Sequence, residues 1–156
     1  MAELIHTSRV KIYQDKRPLR RAYIEDFEQP ILFGVHGGIK HFYKMEPEQD
    51  IPATLDYLVA AVGGWLTGTL AGVLEVRGIP SFPDKLTSNV EGDIENIDGI
   101  IRITKIRVKY NIKVPQNKKE AANRALDLHQ DKCPAAVSVK DAIQISWSAD
   151  IVEEAE

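Results

Sequence analysis

The chain has 156 residues, and its 20 basic and 23 acidic side chains leave a formal net charge of −3. That is the length of one domain, without the overall basic character of a nucleic-acid binder. With 44% hydrophobic and 28% charged residues, the chain is neither disordered nor collagenous. Cys133 is the one cysteine, which excludes an internal disulfide and a multi-cysteine metal centre. The N-terminus lacks the basic-then-apolar order of a secretory signal. The expectation is a cytoplasmic protein with no metal and no cofactor.

The pattern predicts a single domain over residues 1–156. Strand-like pieces fall at Ser8–Tyr13, Arg21–Phe27 and Gly38–Tyr43 within an N-terminal region covering residues 1–50. The segment from Gln14 to Pro18 suits a hairpin connection. A central helix is predicted over 52–77, because Leu55, Leu58, Val59, Val62, Leu66, Leu70, Val73 and Leu74 recur at helical spacing before Gly78 and Pro80. Ala60, Gly64, Gly68 and Gly72 repeat every fourth residue and give this helix one side almost without side chains. Each glycine costs about 1 kcal/mol of helix propensity, so a compensating close approach of a second helix is expected there, with a twofold-related copy as partner. The charge-free run from Tyr57 to Leu74 reaches the lower limit for crossing a bilayer. Asp56 and Glu75 at its ends and Trp65 at mid-run argue for the core of a globular dimer and against a membrane span.

A hairpin follows over 88–114. Its two apolar sets, Val90, Gly92, Ile94 and Ile106, Val108, Tyr110, share one face only if the numbers of opposed residues sum to an even number. A sum of 198 does so with a three-residue loop around Asp98-Gly99, and it places Asp93 opposite Lys105 and Glu91 opposite Arg107. These ion pairs account for the basic stripe without nucleic acid. Asn117 to Glu120 reads as a capping box opening a helix over 117–132, with Pro134 ending it. The last strand, 143–152, alternates Ile143, Ile145, Trp147, Ala149 and Ile151 inward. Strands at both ends around a buried helix make an α+β architecture.

Standard hydrolase, zinc and nucleotide-binding motifs are absent from the sequence. His36-Gly37-Gly38 has no nucleophile elbow beside it and reads as a bend. His36 and His41 have no third ligand at metal spacing. Cys133 is expected at the C-terminal end of the second helix, where the dipole disfavours a thiolate. One turn earlier, His129 is in reach of its sulfur.

The run from Asp56 to Ile79, with Gly63-Gly64-Trp65 at its centre, then Val90-Glu-Gly-Asp-Ile, Arg102-Ile-Thr-Lys-Ile-Arg-Val and Cys133-Pro134, resembles the OsmC/Ohr family over Pro52–Ile151. The resemblance implies an intertwined homodimer, with long central helices packed between curved antiparallel sheets. It also implies a thiol-dependent peroxidase ancestry in the oxidative-stress response. In active members a cysteine on the central helix is oxidised by an organic hydroperoxide and resolved by a second cysteine, assisted by a carboxylate and an N-terminal arginine. Position by position, Trp65 stands where the first cysteine would be, Cys133 matches the second and Asp56 matches the carboxylate. Arg9, Arg17, Arg20 and Arg21 are the candidates for the arginine. The implied function is that of an OsmC-like protein without the two-cysteine cycle: the indole of Trp65 is expected to fill the family's pocket and turn it into core, because interiors pack densely, or else to wall a pocket that, with His129, holds a small apolar ligand or serves assembly. The alternative is a one-cysteine hydroperoxide peroxidase using Cys133. The partners expected are a second copy, through Gly64, Gly68 and Gly72, and a small apolar molecule or organic hydroperoxide; nucleic acid and membrane are not expected.

Overall fold

The computed structural model describes residues 1–155 and divides into two compact units, Met1–Tyr57 and Leu58–Glu156. Both carry helix and strand. The first unit holds a three-stranded antiparallel sheet in the order β1 (Val10–Gln14), β2 (Arg20–Ile24), β3 (Ile31–Phe33), followed by a short helix α1 (Gly37–Phe42). Val10 pairs with Ile24 and Gln14 with Arg20, so the expected hairpin between the first two strands is present.

The third predicted strand, Gly38–Tyr43, is instead helix α1. His36 is extended and serves as its N-cap, and the Lys40 and Tyr43 N–H groups donate to the carbonyls of His36 and Ile39. In so short a segment local turn bonds decide the backbone, against the strand-like reading of the sequence. The strand that does complete the sheet, β3, pairs Phe33 with Arg20 and Ile31 with Ala22.

Helix α2 (Thr54–Glu75) starts in the first unit and continues in the second. It is two residues shorter at each end than expected, and Pro52 precedes it rather than opening it. Its buried residues are Val62, Gly63, Leu66, Leu70 and Leu74. They lie against the sheet formed by β4 (Leu86–Ile97), β5 (Ile100–Pro115) and β6 (Gln144–Glu154). Two glycines make this contact close. A Cβ on Gly63 would sit 2.5 Å from Val90 Cγ2, and one on Gly92 would sit 2.4 Å from Val59 Cγ2. Thr67 Oγ1 bonds the Gly63 carbonyl at 2.7 Å and lies 2.7 Å from Ser88 Oγ. The helix is long and apolar enough to cross a membrane by length and composition, a property it shares with core helices.

The β4–β5 pairing has Asp93 opposite Lys105 and Glu91 opposite Arg107, as expected from the sequence. From Ile94 onward the register shifts by one. Ile97 pairs with Ile100, so the turn has two residues and not three. Asp98 and Gly99 both have positive φ, 54° and 87°, which fits a type I′ turn and the right-handed twist of the strands. A bulge at Thr104 absorbs the difference. Arg107 forms its fork with Asp93 at 2.7 and 2.8 Å, while Glu91 is 3.9 Å away, so the diagonal neighbour takes the guanidinium.

Between β5 and β6 the chain passes through α3 (Lys119–His129), a 3-10 turn (Gln130–Lys132) and α4 (Pro134–Val139). This helical crossover returns β6 parallel to β5, as parallel neighbours need. The sheet is thus mixed. Even-numbered residues of β5 from Ile106 to Val114 are buried, and Ala122, Ala125 and Leu126 of α3 are buried with them. The expected capping box is not formed: Asn117 has φ 63°, and Lys118 is the N-cap without a side-chain bond.

Candidate functional site

Cys133 caps the C-terminal end of the 3-10 turn that continues α3, its N–H donating to the Gln130 carbonyl at 3.2 Å, and it stands directly before Pro134. Proline lacks an N–H, is favoured at a first helical position and opens α4. Cys133 is therefore the N-cap of that helix, and its Sγ accepts the Ala136 N–H at 3.5 Å. The residue is fully buried.

His129, also fully buried, ends α3. Its Nδ1 donates to the Leu126 carbonyl at 2.6 Å, which leaves Nε2 to accept the Tyr110 hydroxyl at 2.8 Å. Both ring nitrogens are taken, and the bond to the sulfur of Cys133 that the one-turn spacing allowed is not made. The Tyr110 and Trp147 rings meet the imidazole edge-on at 5.2 and 5.6 Å. Burial lowers the proton affinity of His129, so the neutral ring is held. Burial, and secondarily the nearby Cys133, pushes the Tyr110 hydroxyl above its usual range, so it remains a donor. Tyr110 and Trp147 stood in the inward alternation of their strands, but nothing in that period singled them out as partners of His129.

On α2 the side opposite the sheet is bare. A Cβ placed on Gly64, Gly68 or Gly72 would meet nothing within 4 Å. Trp65 lies next to this side and is 56% exposed, with Leu58 exposed two turns earlier. The indole is not part of a core. Among the described residues no hydrogen bond or aromatic contact joins Trp65 to Cys133 or His129.

Asp56, in the first unit, lies in the first turn of α2 and reaches back to the residue before the helix. Its Oδ2 accepts the Ala53 N–H at 2.7 Å while its own N–H donates to the Ala53 carbonyl, the reciprocal pattern of a cap. The same oxygen accepts from His36 Nε2 at 2.6 Å. Among the four arginines, Arg20 is the one at this helix start, with Nη2 3.0 Å from Thr54 Oγ1. Arg21 is engaged by Asp15 and Tyr23, and Arg9 by Glu25. His36 pairs with Asp56 rather than with His41, and among the described residues no three His, Cys, Asp or Glu side chains gather as a metal site.

Against known proteins, the chain matches the family model for OsmC-like protein over residues 47–148. No curated protein sequence matches it. An OsmC-like protein from Mycoplasma pneumoniae superposes with a TM-score of 0.72 at 15% identity, over 96% of this chain and 99% of that one. An OsmC-like protein from Vibrio cholerae gives 0.74 at 12% identity, over 94% and 100%. The organic hydroperoxide resistance protein OhrB of Bacillus subtilis gives 0.63 at 15% identity, over 93% and 98%. At these identities the structures establish a shared fold, α+β with a long central helix.

Proposed function

We propose that this chain, which belongs to the OsmC-like protein family, is a cytoplasmic homodimer that works without the two-cysteine peroxidase cycle and holds a small apolar molecule at Trp65. The family includes proteins of organic hydroperoxide resistance. The observation that carries the reading is Trp65 itself: an indole stands where the resemblance puts the first thiol, and it is 56% exposed beside a helix side without side chains. An indole cannot be oxidised to a sulfenic acid, the first step of thiol peroxidation. It can offer a broad apolar surface to a ligand or a second copy. Asp56, matched to the assisting carboxylate, is here committed to capping α2 and to His36.

A second reading is a one-cysteine peroxidase. Cys133 is a free thiol, the group that a peroxide oxidises to a sulfenic acid, and this favours it. Complete burial of Cys133 works against it, because a peroxide must reach the sulfur.

The test is peroxide consumption with a dithiol reductant and tert-butyl hydroperoxide. The expected result is no turnover above background in the wild type. Turnover that disappears in Cys133→Ser establishes the one-cysteine reading instead. In Trp65→Cys, peroxide treatment is expected to produce an internal disulfide with Cys133, read by mass spectrometry. Free or overoxidised thiols alone, in a folded variant, overturn the pairing of these two positions.

A further inference from the structure

A cleft of about 220 Å³ lies within the first unit, between the turn joining β1 to β2 and the segment that leads into α2. Its volume is below the roughly 300 Å³ at which sites for drug-sized ligands begin, so its occupant is small. Pro18, Leu19, Gly34, Pro47 and Ile51 form the apolar part of the lining. The Ile51 wall is fixed in place: Gly34 N–H donates to the Pro52 carbonyl at 2.9 Å, and Ile51 N–H to the Val35 carbonyl at 3.3 Å. A Cβ on Gly34 would fall 2.7 Å from Ile51 Cβ, so only glycine lets the two segments close to this distance.

The charges are divided between the walls. Lys16 and Arg17 stand on the turn, and Glu46 and Glu48 on the facing segment. Lys16 Nζ and Glu48 Oε1 meet at 2.8 Å and bridge the cleft from wall to wall. Each holds the other charged, Glu48 lowered and Lys16 raised from their ordinary values. Arg17 and Glu46, both solvent-exposed, have no ion-pair or hydrogen-bond partner among the described residues. The cleft therefore carries one unpaired cation and one unpaired anion, beside an apolar part of its lining.

We propose that this cleft binds a small zwitterion with an apolar side chain, a free aliphatic α-amino acid being the chemical class. Arg17 receives the carboxylate as a fork of donors, Glu46 receives the ammonium, and Leu19 and Ile51 cover the side chain. This inference is independent of the reading of Trp65 and Cys133.

The experiment uses the full chain labelled with nitrogen-15 and titrated with leucine, 4-methylpentanoate and 3-methylbutylamine. Leucine is expected to shift the amides of Gly34, Gln49 and Ile51 in a saturable way. The two analogues, each lacking one charge, are expected to bind about tenfold more weakly. Arg17→Gln is expected to weaken leucine and the carboxylate analogue while leaving the amine unchanged, and Glu46→Gln to do the converse. Absence of saturable shifts at these amides overturns the proposal. So does equal binding of leucine and either analogue.

Discussion

The Tyr110 hydroxyl and the His129 imidazole are each other's answer to burial. Neither is exposed, and the 2.8 Å bond between them leaves no water to replace a lost partner. Tyr110→Phe removes the donor and leaves Nε2 buried and unanswered, a change that costs about 1–3 kcal/mol and is read from a urea unfolding curve. The pH dependence follows from the same burial. The folded chain lowers the proton affinity of His129, so the unfolded chain binds the proton more readily. Stability from this group is complete above the unfolded value near 6.5 and falls as pH drops below it, by at most about 1.4 kcal/mol per pH unit. Between pH 7 and 5.5 the urea midpoint is expected to fall, and His129→Gln to flatten the fall; an unchanged slope would place the proton elsewhere. Cys133, capping α4 from a buried position, is expected to resist a thiol reagent such as Ellman's until urea opens the chain. Ready modification of the folded protein would show a path to the sulfur. In the sequence, His129 and Cys133 could be placed one turn apart, but the choice of Tyr110 as partner depends on how α3 lies on β5, which no local period encodes.

At the scale of elements, two glycines of α2 do opposite things. Gly63 faces the sheet, and a Cβ there meets Val90 Cγ2 at 2.5 Å and Cγ1 at 2.8 Å. A valine has little χ1 freedom with which to move away, so overpacking of about 1–3 kcal/mol outweighs the roughly 1 kcal/mol of helix propensity gained by alanine. Gly68 faces open space, and the same substitution keeps the propensity gain. In dilute protein, Gly63→Ala is expected to lower the urea midpoint and Gly68→Ala to raise or hold it. The reverse order would exchange the two faces of the helix. The fourfold spacing of Ala60, Gly64, Gly68 and Gly72 made the bare side readable, whereas Gly63 differs from its neighbour only through Val90, a residue of another element. The hairpin divides similarly. Alternation fixes register modulo two residues, and the pairing of opposite charges selected the one that places Asp93 opposite Lys105. Neither says whether one residue is absorbed in the turn or in a bulge at Thr104. Pro134 is the same kind of ambiguity, since a proline that stops one helix is also suited to begin the next.

At the scale of the molecule, each unit leaves apolar surface uncovered. In the first sheet Val10 pairs with Ile24 and Ile12 with Ala22 on one face; Val10 is 49%, Ile12 60% and Ile24 38% exposed. In the second, the glycine side of α2 and the adjacent Trp65 are open. Apolar surface gathered in this way marks an interaction site more often than a free surface, and a twofold partner covers a self-complementary patch on both copies at once. A bare helix side is suited to meeting its own copy because the two backbones can approach closely. The proposed homodimer then makes two linked statements. Light scattering at high micromolar concentration should return twice the chain mass, and the melting temperature should rise with protein concentration, as it does when folding and association are coupled. Gly68→Leu places a branched side chain in the space the partner's backbone needs, and is expected to return the mass of one chain and to remove the concentration dependence. The variant's helix need not suffer, since leucine is the better helix former and its own unit has room for the side chain. A folded variant that loses only its partner separates assembly from folding. A wild type that scatters as a monomer, with a melting temperature independent of concentration, would instead leave the glycine side of α2 as free surface.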